Sequence, residues 1–163
     1  MFNVGDTVLY GKEGVCILSA VEKKKFGTEV REYYVLSSLN KENSKIFVPT
    51  DNENLVASMR RVLGEDDIKK LVAEINAGEP LWISDDNERR EEYRRIVAEA
   101  DCLALGKCLR GLYNRKEELK VQGKKLRRFD EDFYMQGQNI LFNELSYVLK
   151  ISKDKVLEYI LEI

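Results

Sequence analysis

Few side chains in this sequence can do acid–base, nucleophilic or metal chemistry. None of the 163 residues is histidine, so the commonest general base and a principal metal ligand are missing. Cys102 and Cys108 are too far apart for a CxxC pair and, with Cys16, make an odd number of thiols in apolar settings. They read as buried free cysteines of a reducing compartment rather than as a zinc site. Gly11-Lys12-Glu13-Gly14 is a hairpin turn carrying a lysine, not a phosphate loop. Asp85 and Asp86 could be paired carboxylates, but within Ser84-Asp85-Asp86-Asn87 helix capping accounts for them. No catalytic residue, cofactor or metal is expected, and the chain is not read as an enzyme.

The remaining chemistry is that of binding. From Lys107 to Arg128 stand nine basic residues (Lys107, Arg110, Arg115, Lys116, Lys120, Lys124, Lys125, Arg127 and Arg128) against Glu117 and Glu118, a local charge of +7. The whole chain has a net charge of −2, so this is strong segregation, the footprint of a phosphate partner or else a solvated helix–loop–helix corner. Arg89-Arg90 and Arg94-Arg95 form a second basic face, diluted by Glu88, Glu91 and Glu92. Trp82 is the only tryptophan; beside Pro80 and between helices, it is either a core plug or an apolar wedge that stacks on or inserts beside a base.

The elements that hold these residues divide the chain. Thr7–Tyr10, Val15–Glu22, Glu29–Ser38 and Lys45–Val48 read as short strands joined by polar or Gly-bearing turns, the pattern of a small, bent antiparallel barrel over residues 1–59. In the last strand alternation places Ile46 and Val48 inward and Lys45 and Phe47 outward; Pro49 ends the strand. After Met59 the period becomes helical. Ile68, Leu71, Val72 and Ile75 form one stripe; Tyr93, Ile96, Val97 and Ala100 a second; Leu105, Cys108, Leu109, Leu112 and Tyr113 a third. Asp130 is expected to cap a fourth helix, and a last one turns Val156, Tyr159, Ile160 and Ile163 inward. The expectation is an α+β chain of two segregated parts, a Tudor/SH3-like β-barrel followed by an all-α bundle of about five helices over residues 60–163.

Composition agrees. The charged fraction of 34% suits helices with solvated faces. No apolar run approaches a membrane span, and Met-Phe-Asn-Val-Gly-Asp does not open a signal peptide, so a cytoplasmic protein without a membrane partner is expected.

The order of these features resembles the CarD/CdnL family of bacterial RNA-polymerase-binding transcription regulators, and the N-terminal part is similar to the polymerase-interacting domain of transcription-repair coupling factor. The likeness is carried by Phe2-x-Val4-Gly5-Asp6-x-Val8-x-Tyr10, the Gly14 turn, Tyr33-Tyr34-Val35-Leu36 and Ile46-Phe47-Val48-Pro49. Further on it is carried by the loop Trp, Arg89-Arg90 with Tyr93, Leu109-Arg110-x-Leu112-Tyr113 and Asn139-Ile140-Leu141-x-x-Glu144-Leu145. A monomer is expected, and the resemblance implies that its barrel docks on the RNA polymerase β subunit through Arg31, Lys45, Ile46, Phe47 and Pro49. It also implies a helical domain that contacts promoter DNA weakly, without sequence specificity, and modulates open-complex stability. The DNA-facing residues would be Trp82, Arg89, Arg90, Lys124, Lys125, Arg127 and Arg128. The alternative is a polymerase- or protein-binding adaptor without DNA contact, because Asp130-Glu131-Asp132 stand where well-known members are basic.

Overall fold

The computed structural model describes residues 1–99 and 101–161, with the backbone alone at Lys12. Ala100 and Ile163, both expected to face inward, lie outside the described residues. The chain divides into two compact units, Met1–Val62 and Leu63–Ile163, and its class is α+β.

The first unit is an antiparallel sheet of β1 (Thr7–Tyr10), β2 (Gly14–Phe26), β3 (Glu29–Ser38), β4 (Lys45–Pro49) and β5 (Met59–Arg61), in the order β4-β3-β2-β1-β5. β5 departs from the expected helical period after Met59: Tyr10 pairs with Met59 and Val8 with Arg61. A short helix α1 (Glu53–Ala57), capped by Asn52 accepting from the Leu55 N–H at 3.1 Å, leads into β5 and packs against both edge strands. Alternate residues of the strands build the core: Val8, Cys16, Leu18, Tyr34, Leu36, Val48 and Met59, with Phe2 and Ile46 packed against it. A register shift between Leu18 and Ala20 leaves Ser19 as an extra residue, and its hydroxyl donates to the Val35 carbonyl at 3.0 Å.

The second unit contains α2 (Glu65–Ala77), α3 (Asp86–Glu99), α4 (Cys102–Val121), α5 (Arg128–Leu149) and α6 (Lys153–Leu161). Ile68, Val72 and Ile75 of α2, Leu105 and Cys108 of α4, and Leu141 and Leu145 of α5 are buried, as the helical period demands. Small residues ease the helix spacing: a Cβ at Gly106 would lie 2.2 Å from Ile75 Cδ1, so a larger residue there would force the Ile75 side chain to move where α4 approaches α2. The Arg110 guanidinium donates to the carbonyls of Ile75, Asn76 and Gly78, closing the C-terminal turn of α2 with a cation. Two expectations fail here. Tyr159 is exposed rather than inward. Asp130 does not cap α5; Arg127 is the N-cap residue, and Asp130 lies in the first turn, 1% exposed.

Candidate functional site

On the sheet, register decides which side chains act together. Residues directly opposite one another share a face. Arg31 pairs with Lys24, Glu29 with Phe26, Tyr33 with both Glu22 and Pro49, Val35 with Phe47, and Ser37 with Lys45. Arg31, Lys45, Phe47 and Pro49 therefore lie on one face, joined by Lys24, Phe26 and Tyr33. Ile46 is on the opposite face, against the core. The exposed ring of Phe47 meets Tyr33 edge-on, with centroids 6.4 Å apart, and Tyr33 meets Phe26 in the same way at 6.1 Å. Lys24 Nζ stands 3.4 Å from the centre of the Phe47 ring. Arg31 carries an exposed ion pair to Glu29 at 3.3 Å. Since β4 pairs only with β3, its other edge has no strand partner among the described residues.

In the helical unit the Trp82 loop is fixed from two sides. The Leu81 N–H donates to the Lys107 carbonyl at 3.0 Å, and the Leu81 carbonyl rests against Gly111, where a Cβ would lie 2.2 Å from that oxygen. Downstream, Asp85 Oδ1 accepts from the N–H groups of Asn87 and Glu88, both at 2.9 Å, and so caps α3. Trp82 between these anchors is 36% exposed.

Under Trp82 lies Arg89, and here the expectation needs correction. Arg89 is 3% exposed, so its guanidinium does not face solvent as a phosphate contact would. Its Nε and Nη2 donate to the two carboxylate oxygens of Asp130 at 2.8 and 2.9 Å, Nη2 also to Asp86 at 2.9 Å, and Nη1 to the Ile83 carbonyl at 2.8 Å. Its guanidinium carbon is 4.4 Å from the Trp82 ring centre and 4.9 Å from that of Phe129. The Tyr93 hydroxyl donates to Asp130 at 2.7 Å, and its ring stacks on Phe133 at 3.8 Å. Burial alone would lower the Arg89 pKa, but the hydrogen bonds and charge of Asp130 outweigh it and hold the guanidinium above its ordinary value. Burial, then the bond to Asp130, pushes the Tyr93 phenol well up.

The other basic residues separate into engaged and free. Arg127 is ion-paired with Asp86, Arg128 approaches Asp132 at 3.7 Å, and Arg115 pairs with Glu118 at 3.2 Å. Lys120, Lys124 and Lys125 have no carboxylate partner among the described residues. With Lys116 they line an open groove of about 420 Å³ at the α4–α5 turn, into which Glu131 is the one acid to reach. A neighbouring groove of about 410 Å³ joins Trp82 to Arg115, Lys125 and Arg127. Of the seven residues expected to face DNA, Trp82, Arg89, Lys125 and Arg127 thus line one groove, Arg89 as part of its buried floor, and Lys124 lines the neighbouring one. Arg90 opens onto a different groove between α3 and α5.

Sequence reasoning missed the partnership of Arg89 with Asp130, although a signal was there. Arg89 is in phase with the buried Tyr93 and Ile96, and Asp130 with the buried Phe133, Gly137 and Leu141. A charge on each of two inward stripes calls for a partner of opposite sign.

Among the described residues no group of three His, Cys, Asp or Glu side chains could hold a metal ion, and no helix is long and apolar enough to cross a membrane. Residues 2–63 match the CarD-like/TRCF RID domain. The chain is also 22% identical over 156 residues to "Putative transcription factor YdeB" of Bacillus subtilis (strain 168), covering 96% of this chain and 97% of the relative.

Proposed function

We propose that the chain, whose residues 2–63 match the CarD-like/TRCF RID domain, is a transcription-related, RNA polymerase-interacting protein that docks on the polymerase β subunit through the Phe47 face while its helical unit touches promoter DNA through Trp82 and the lysine turn. The observation that carries the first half is the register: Arg31, Lys45, Phe47 and Pro49 fall on one face beside the unpaired edge of β4. An edge of this kind accepts an added strand, with main-chain bonds for affinity and the Phe47 ring as the side-chain anchor. The second half rests on a partly exposed tryptophan backed by a fixed guanidinium, next to lysines that have no carboxylate ion pair among the described residues. Held by polymerase at high effective concentration, a weak DNA surface suffices. Preference for the opened promoter over the closed duplex then shifts that equilibrium by no more than the difference in affinity.

Co-purification of polymerase by the wild-type chain and by Phe47→Ala tests the docking, and the half-life of the open complex with Trp82→Ala tests the DNA contact. Docking without any change in open-complex lifetime would favour the adaptor reading. One observation supports that reading: Arg89 and Arg127 are already neutralised by Asp130 and Asp86.

A further inference from the structure

A groove of about 590 Å³ in the helical unit lies between α3 and α5, and neither the polymerase-docking face nor the lysine turn uses it. Phe129, Tyr93 and Phe133 form its floor; Arg90 and Arg94 form its rim on α3, and Asp132 and Gln136 its rim on α5. The charges are unequal. Arg95, next in sequence, is saturated by Glu92 at 2.6 Å, Glu99 at 2.6 Å and Asp101 at 3.3 Å. Arg90 and Arg94 have no carboxylate partner among the described residues, and Asp132 leans instead towards Arg128. Like charges four residues apart on a helix repel one another, and an anion seated between them removes that repulsion. Arg90 is also placed for more than charge: its guanidinium carbon is 4.2 Å from the centre of the Phe129 ring, so the exposed cation is backed by an aromatic surface.

We propose that this groove is a binding site for a nucleotide, its base stacked on the Arg90–Phe129 platform and its phosphate held by the Arg94 guanidinium. Bases stack on guanidinium groups and aromatic rings alike, and the fork of an arginine matches two phosphate oxygens. The groove is open to solvent, so a base would stack there on one face rather than be enclosed. The same chemistry is offered by a free nucleotide and by an unpaired nucleotide of single-stranded nucleic acid. The site is separate from the lysine turn, so it does not rest on the DNA contact proposed for Trp82.

Amide chemical-shift mapping of the full chain tests the site with four probes: adenosine 5′-monophosphate, a short oligodeoxythymidylate, inorganic phosphate and an acidic amphipathic peptide. The expected result is saturable shifts centred on Arg90, Arg94 and Phe129, with a Kd for the nucleotide of about 1 mM or tighter. Inorganic phosphate should bind about tenfold more weakly, since it lacks the base. Tighter binding of the oligonucleotide at these same residues identifies single-stranded nucleic acid as the source; tighter binding of the mononucleotide identifies a free ligand. Arg90→Ala and Arg94→Ala, both at exposed positions, should each weaken binding without changing the melting temperature, whereas Lys124→Glu should leave nucleotide binding intact even where it abolishes duplex binding. Three outcomes overturn the proposal: shifts confined to the lysine turn, phosphate binding as tight as nucleotide, or saturable binding of the peptide alone.

Discussion

Asp130 accepts two hydrogen bonds from Arg89, at 2.8 and 2.9 Å, and the pair ties α3 to α5 across 41 residues of sequence with 2–3% of either side chain exposed. Such a pair gains little over well-packed apolar residues, but removing Asp130 leaves the buried Arg89 with only the partly exposed Asp86 as a carboxylate partner. Its geometric consequence is specific: Arg89 fixed by Asp130 also binds the Ile83 carbonyl and lies under the Trp82 ring, so α5 sets the pose of a loop it does not contain.

Asp130→Ala should therefore cost about 3–5 kcal/mol of unfolding free energy in denaturant titration. Asp130→Asn keeps one acceptor and the shape and should cost less. Trp82 is the only tryptophan, so its emission reports the loop directly. The emission maximum should move to the red in both variants in buffer, well before global unfolding. An unaltered spectrum in the Ala variant would show that the loop holds its own pose.

The loop has a second anchor at Gly111. A methyl group there would lie 2.2 Å from the Leu81 carbonyl oxygen, a backbone atom that cannot swing aside. Gly111→Ala replaces a poor helix former by a good one, which on an open helix face would stabilise by about 1 kcal/mol. Here overpacking should reverse the sign and destabilise by about 1–3 kcal/mol, read from the denaturation midpoint.

How far the sequence revealed this molecule follows from what kind of signal each part carried. The β4 strand was legible because alternation over Lys45–Pro49 is unbroken and a proline marks its end. β5 was not: Met59–Arg61 is too short to show a period, and it takes its place only because β1 offers an edge. The stripes of α2, α3 and α4 were legible from spacing, whereas Tyr159 was misplaced by the same rule near the end of the last helix. Asp130 was misread because an acid at the start of a helix has an ordinary reason to be there, capping. Burial of its partner Arg89, 41 positions earlier, is a tertiary fact that no local pattern contains. The basic count over Lys107–Arg128 was also right as composition and too large as a surface charge, since Arg110 closes α2 and Arg127 is held by Asp86.

Phe47 is the position at which the proposed docking can be separated from folding. Its ring is outward, 38% exposed, and touches Tyr33 and Lys24 rather than the core. Phe47→Ala should weaken binding to polymerase by about 1–3 kcal/mol, the cost of truncating an aromatic anchor, with the melting temperature nearly unchanged. Calorimetry against the isolated β-subunit lobe measures the first. Wild-type affinity in the variant would remove Phe47 from the interface.

Duplex binding by the isolated chain should fall steeply with salt, with a log–log slope of about −2 to −4 if two to four phosphates are neutralised. Lys116, Lys120, Lys124 and Lys125 supply that number at the α4–α5 turn. Reversing Lys124 and Lys125 should flatten the slope by about two. Fluorescence anisotropy at several salt concentrations reads the slope, and affinity indifferent to salt would exclude phosphate contact.

Alkaline pH should destabilise the fold through its thiols. Burial, reinforced by Glu13, pushes Cys16 from 9.0 up to about 11; burial, with Glu92 next, pushes Cys108 from 9.0 up to about 12. Between pH 9 and these values the unfolded chain has lost the protons that the folded chain keeps. Stability is then full below pH 9 and declines as pH rises, by at most about 1.4 kcal/mol per pH unit for each thiol. Cys16→Ser would alter packing as well, so the cleaner check is reactivity. Iodoacetamide at pH 8 should leave Cys16 and Cys108 unmodified until denaturant is added. Rapid native alkylation of either would contradict their burial.

Trp82 is where core and surface roles diverge most. A fully buried tryptophan truncated to alanine costs about 3–5 kcal/mol by cavity formation. Trp82 retains 36% exposure and stands on Arg89 rather than inside an apolar cluster. Trp82→Ala should accordingly cost only about 1–2 kcal/mol, because Arg89 keeps its in-plane partners and water can solvate the face it loses. The same substitution should shorten the life of the open promoter complex formed with polymerase, while Trp82→Phe, which keeps a ring to stack, should preserve part of it. Melting temperature and complex half-life measured on both variants separate the roles. A large fall in melting temperature with an unchanged half-life would assign Trp82 to the interior, and the groove beside it would then have no base-stacking group to offer DNA.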